Sequence, residues 1–180
     1  MRRFSISLFL IMSCLFFSGS ALGQIYSIGV SGGYAPTPAM DQGDGYSIAM
    51  DAKARLHRLF CMRIKIGAIH LGDAHFSFGD RSGSRIETAS LDFIYGKFAE
   101  RPGEFQGYCF LGFTHFTIRR DFDKILKNHN GELGGGMSYC PAKSIHITVE
   151  ALFHNNEYSR GELLLGVHYR FKLWGHSDEK

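Results

Sequence analysis

The stretch Glu162-Leu-Leu-Leu-Gly-Val-His-Tyr-Arg-Phe171 decides the fold. Leu163, Leu165, Val167, Tyr169 and Phe171 take every second position, with Glu162, Gly166, His168 and Arg170 between them. In an extended chain successive side chains point to opposite faces. The stretch is therefore a strand with one apolar face and one mixed face, closing on aromatics.

The same alternation recurs upstream and predicts eight strands. The first spans Ile25 to Tyr34, with Tyr26, Ile28, Val30 and Tyr34 opposite Ser27, Gly29, Ser31 and Gly33. The second, Tyr46 to Leu56, sets Ile48, Met50 and Ala52 against Ser47, Asp51, Lys53 and Arg55. The third runs from Cys61 to about Leu71 and the fourth from Ile86 to Lys97. The fifth, Gly107 to Ile118, is aromatic on both faces, so its facing stays open. The sixth, Gly131 to Tyr139, is glycine-rich. The seventh, Ile145 to Phe153, sets Ile147, Val149 and Ala151 against His146, Thr148 and Glu150. The opening stretch is the eighth.

Short connections are expected near 57–60, 99–105 and 140–144, and longer polar ones near 35–45, 72–84, 119–130 and 154–161. Short turns alternating with longer loops is the pattern of an even-stranded membrane barrel with periplasmic turns and external loops. The mixed faces carry Asp51, Lys53, Arg55, Arg63, Lys65, Asp92, Glu150 and Arg170. A water-soluble barrel would turn its apolar face inward instead, and these charges would not all fit inside a dry small barrel unless paired. In a lipid-embedded barrel they form an ion-paired filling of an eight-stranded lumen, which is only wide enough for side chains. In lipid no open sheet edge is tolerated, so the eighth strand must pair with the first.

Arg2 and Arg3 precede an apolar run from Phe4 to Phe17, and Ala21 and Gly23 are small residues placed for cleavage before Gln24. This is the pattern of a secretory signal peptide over 1–23. The alternative, a lipoprotein-type site at Ile11-Met-Ser-Cys14, is weaker because the apolar run continues past Cys14. The barrel is expected over 24–173, with a short polar tail over 174–180. Without Arg2 and Arg3, 18 basic residues face 17 acidic ones, which gives no argument for nucleic acid. Glycine and aromatics are plentiful and proline is rare, as closed barrels require. Tyr26, Tyr34, Tyr46, Phe93, Tyr95, Tyr108, Tyr169 and Phe171 are expected as interface girdles and lipid contacts.

From Gly134 the chain reads Gly-Gly-Gly-Met-Ser-Tyr-Cys-Pro-Ala-Lys-Ser-Ile-His-Ile-Thr-Val-Glu-Ala-Leu-Phe153, then a loop, then the opening stretch. This resembles the last two hairpins of the OmpA/OmpX-like outer-membrane barrels. Those show a glycine-rich strand, a short proline-containing turn, an alternating strand with an acidic residue, and a final Gly-x-x-Tyr-x-Phe. Ile66-Gly-Ala-Ile-His-Leu-Gly72 is similar to their third strand entering an external loop. In the family the last aromatic usually ends the barrel, whereas here Lys172 to Lys180 follow; nine residues are too few for a peptidoglycan-binding domain, so no cell-wall anchor is implied. The resemblance implies an all-β, eight-stranded antiparallel up-and-down transmembrane barrel in the bacterial outer membrane.

Four sets of residues are candidates for chemistry. If the last hairpin is symmetric about Tyr158, His154 faces Glu162. Outer-membrane lipid A deacylases resemble this region in carrying a His-x-Ser followed by a Glu. His154 and Glu162 would then be base and orienter. Asn156 holds the nucleophile's place, and Ser159 is nearby but off the pattern. His70, His75, His115, His129 and His154 fall toward the external end, but no two have tight ligand spacing, so no metal is expected. Cys109 and Cys140 are placed to meet across the fifth and sixth strands, which an oxidising compartment would allow to bond, leaving Cys61 free. Arg119 to Asn128 mixes basic and apolar residues, as contact with lipopolysaccharide phosphates would need.

The expected function is that of a non-enzymatic surface protein, structural or adhesive, acting through its external loops. The alternatives are a lipid A deacylase-like hydrolase using His154, Glu162 and Ser159, a narrow channel, and a soluble periplasmic barrel. No cofactor is expected. The expected partners are outer-membrane lipid and lipopolysaccharide, the barrel assembly machinery and an unidentified external ligand, with a monomeric barrel.

Overall fold

The computed structural model describes residues 25–36, 43–57, 59–72, 74–76, 79–81, 85–119, 125–155 and 160–171. The expected signal peptide, 1–23, and the expected polar tail, 174–180, lie outside these residues.

The strands are β1 (Ile25–Ala35), β2 (Gly43–His57), β3 (Phe60–Gly72), β4 (Ala74–Phe76), β5 (Gly79–Arg81), β6 (Arg85–Gly96), β7 (Phe105–Arg119), β8 (Ile125–Ala142), β9 (Ile145–Asn155) and β10 (Arg160–Arg170). Eight of them close an antiparallel barrel in the order β1-β10-β9-β8-β7-β6-β3-β2, while β4 and β5 form a separate hairpin. β1 pairs with β10 from Ser27↔Arg170 to Tyr34↔Leu163, so the barrel has no open edge.

The registers define its shape. Pairing leads from His129 through His115, Ala89, Ile66, Met50, Val30, Val167 and Ile147, and back to β8 at Tyr139. The circuit returns ten residues from its start. At about 3.3 Å per residue and about 4.8 Å between strands, a stagger of ten over eight strands tilts them about 40° from the axis.

The alternation sorts the faces as expected. Ile48, Met50, Leu111, Phe113, Leu133 and Leu165 point outward and are more than half exposed. Asp51, Lys53, Arg63, Lys65, Asp92 and Glu150 point inward and are buried. An apolar exterior around a charged interior inverts the arrangement of a water-soluble protein and matches a barrel crossing a bilayer. One girdle contains Tyr34, Tyr46 and Phe113, with the Tyr46 and His70 rings 5.2 Å apart. The other contains the Phe60–Tyr95, Phe105–Tyr139 and Tyr169–Phe171 pairs, with centroids 5.1, 4.4 and 5.3 Å apart. Bands of this kind are about 25 Å tall. The short-turn end is taken as periplasmic and the other as external.

Three expectations are corrected. Tyr108 is not a girdle residue: β7 turns Tyr108, Phe110, Thr114 and Phe116 inward, which resolves its ambiguous facing. Cys109 and Cys140 do not meet. Cys109 pairs with Gly135 and is exposed, Cys140 is buried beside the turn, and all three described cysteines are free. The third external connection is shorter than its polar composition suggested, because β7 and β8 pair up to Arg119↔Ile125. Its remaining residues, 120–124, lie outside those described. The turn after β6 covers 97–104 and folds inward. Phe98 and Ala99 are buried in the periplasmic mouth, with the Ala99 N–H donating to Ser138 Oγ at 3.0 Å.

Candidate functional site

The lumen is where the buried polar groups converge. Arg63 from β3 sits at its centre. Its Nε donates to Asp92 of β6 at 2.7 Å, and its Nη1 reaches both Glu150 oxygens of β9 at 2.7 and 2.6 Å. The guanidinium lies 4.5 Å from the Phe110 ring centre. The Tyr108 hydroxyl donates to Glu150 at 2.5 Å. One layer outward, Lys65 Nζ donates to Glu132 at 2.6 Å, and Thr114 also donates to that carboxylate. These pairs join strands far apart in sequence, so the network cross-braces the barrel.

Apolar layers close the lumen on either side. Ala35, Ile69, Leu71, Ile86 and Phe116 form a buried cluster toward the external mouth. Ile94, Phe98, Phe110, Leu152 and Leu164 belong to a second cluster that reaches the periplasmic plug. Lys53 lies 5.3 Å from the Phe98 ring, joining that plug to the charged layers.

His154 and Glu162 do come together, by a different register. His154 pairs with Arg160 and Glu162 with Leu152, so the last hairpin is centred on residue 157 rather than Tyr158. The two side chains meet on the diagonal, His154 Nε2 to Glu162 Oε1 at 2.8 Å. His154 Nδ1 lies 3.6 Å from Glu132, and the ring stands edge-on to Phe116 with centroids 5.0 Å apart. Both residues are buried in the lumen. The gap beside them, lined in part by Ser47, Lys65, Thr88 and Ser90, has a volume of about 10 Å³, room for a single water. Asn156 and Ser159 lie outside the described residues, as do residues 120–124 of the basic stretch from Arg119 to Asn128.

Of the histidines grouped by sequence at the external end, two form a pair. His115 and His129 are direct cross-strand partners on the outward face, with ring centroids 4.5 Å apart and Nδ1 atoms 3.3 Å apart. Fourteen residues separate them along the chain, so linear spacing gives no sign of the contact. At the periplasmic end the Glu104 carboxylate accepts the N–H groups of Glu100 at 2.8 Å and Arg101 at 3.0 Å, and Gln106 Nε2 at 2.6 Å. These donors pull its pKa down from 4.5 to about 2.

No family model and no curated relative matches the chain. Solved structures do. The N-terminal barrel domain of Pseudomonas aeruginosa OprF is 16% identical, with a TM-score of 0.57, over 82% of this chain and 98% of that one. Neisserial surface protein A is also 16% identical, with a TM-score of 0.56, over 82% and 97%. The Pseudomonas aeruginosa outer-membrane protein OprG is 10% identical, with a TM-score of 0.59, over 84% and 98%. The fold is therefore that of the bacterial outer-membrane barrels, as the final hairpins implied, and the apolar wall around a polar lumen places this chain in that class.

Proposed function

We propose that the chain is a non-enzymatic surface protein of the bacterial outer membrane, a closed barrel that holds its external strand ends and loops in a fixed arrangement toward the environment. The observation that carries this reading is the filled lumen. The external apolar cluster, the Arg63 and Lys65 ion pairs and the Phe98 plug occupy it in succession. A lumen packed this way supports neither conduction nor a substrate cleft. Similar structures described as a surface protein and as an attachment invasion locus protein agree with a role at the cell surface.

The position of His154 speaks against the hydrolase reading. Its ring is buried in the lumen, whereas the acyl chains of lipid A lie outside the barrel wall. The His154–Glu162 bond is then a cross-strand tie near the external rim. The apolar wall faces outer-membrane lipid and lipopolysaccharide, and closure of β1 onto β10 is the work of the barrel assembly machinery.

Three measurements test this. Purified protein in planar bilayers should give silent recordings, and steady single-channel conductance would overturn the closed lumen. Biotinylation of intact cells should label the protein, and absence of label would remove the surface role. Lipid A mass spectra should be unchanged on overexpression. Loss of an acyl chain that depends on His154 would replace this reading with the enzyme.

A further inference from the structure

β7 and β8 extend past the outer aromatic girdle, and at that level they present two imidazoles to the outside. His115 follows Phe113 by one outward step on β7, and His129 stands opposite it on β8. His129 is exposed and His115 half-buried. Their planes meet at 39°, with the Nδ1 atoms 3.3 Å apart. The other nitrogen of His115, Nε2, lies 3.5 Å from Thr117 Oγ1. With Nε2–H donating to that hydroxyl, Nδ1 keeps its lone pair.

The separation suits a metal ion. Zinc–imidazole bonds are about 2.0–2.1 Å, and two such nitrogens at a tetrahedral angle stand about 3.3–3.4 Å apart. The β7–β8 register has thus set the two nitrogens at the spacing of a chelating pair. We infer that His115 and His129 form a two-histidine site for a borderline transition-metal cation, Zn²⁺, Cu²⁺ or Ni²⁺, on the outer face of the barrel at the external edge of the apolar band. Imidazole suits this class, whereas Ca²⁺ and Mg²⁺ need oxygen ligands. Among the described residues no third histidine, cysteine or carboxylate joins the pair in a ligating cluster. The ligands proposed are the two imidazoles.

The alternative use of the same geometry is a plain N–H···N hydrogen bond between neutral rings, and experiment separates the two. The untagged chain, folded in detergent micelles, is titrated with Zn²⁺ by calorimetry. His115→Ala, His129→Ala, the double variant and a control, His70→Gln, are titrated in parallel. One Zn²⁺ per chain is expected. Since losing an outer-shell partner alone weakens metal affinity about 10–100-fold, removing either ligand should weaken it at least tenfold. The control should bind as the parent does. Parent affinity no greater than that of the double variant would overturn the proposal. Closure of each variant is checked by its migration on unboiled gels. Electron paramagnetic resonance of Cu²⁺ on the unaltered chain decides the question even where a variant fails to close. Two coordinated nitrogens are expected, and one or none would refute the site.

Discussion

Arg63 holds two carboxylates from two other strands and stacks on Phe110, all at full burial. Removing one partner of a buried ion pair leaves an uncompensated charge, which costs about 3–5 kcal/mol. Arg63→Met should lower stability by that amount in denaturant titrations in micelles. Adding Asp92→Leu and Glu150→Leu removes the stranded charges and should recover most of the loss. Glu104 makes a second prediction at this scale. Its folded pKa lies below its ordinary value, so its hold on the turn is complete above about pH 4.5 and is lost as the pH falls through about 2. A carbon-detected NMR titration of the Glu104 carboxyl should show a midpoint near 2 rather than 4.5. Gly134 makes a third. A Cβ there would lie 2.4 Å from Phe110 and 2.5 Å from the Ala151 carbonyl oxygen. Backbone cannot yield that distance, so Gly134→Leu should abolish the heat-dependent gel shift of the closed barrel.

At the scale of the strand, alternation was legible and register was not. The faces of β2, β3, β9 and β10 follow from period-2 patterning, because a buried charged face and an exposed apolar face admit one orientation. β7 defeated that reading. Its inward Tyr108, Phe110 and Phe116 match its outward Phe113 in apolarity, since an eight-stranded lumen needs bulk as well as charge. The polar run through Asn128, His129 and Asn130 resembled a loop, but β8 continues through it toward the external end, paired with β7. Register decides which residues meet across strands, and one step of error separates partners. The displaced centre of the last hairpin still let His154 find Glu162, because both are long enough to meet on the diagonal. The same uncertainty joined Cys109 to Cys140 wrongly and hid the His115–His129 pair. Since Cys109 pairs with Gly135, the cysteines should stay unlinked, and reducing and non-reducing gels should show the same mobility.

For the whole molecule, the filled lumen and the apolar wall are two aspects of one alternation. Every barrel strand contributes alternate residues to each, so none of the eight serves only one of them. Ion pairs such as Arg63–Glu150 and Lys65–Glu132 span 87 and 67 residues of chain. Bracing of that reach should make unfolding cooperative. Tyrosine fluorescence and gel mobility should lose the native state at the same denaturant concentration, and separated transitions would show that the lumen and the wall melt independently.

The seam between β1 and β10 also sets an order in time. The first barrel strand to leave the ribosome pairs with the last, so β1 has only one of its two neighbours until Arg170 has been synthesised. A growing chain cannot close by degrees. The whole polypeptide has to be kept unfolded, and its alternating apolar residues shielded from one another, until the final strand arrives.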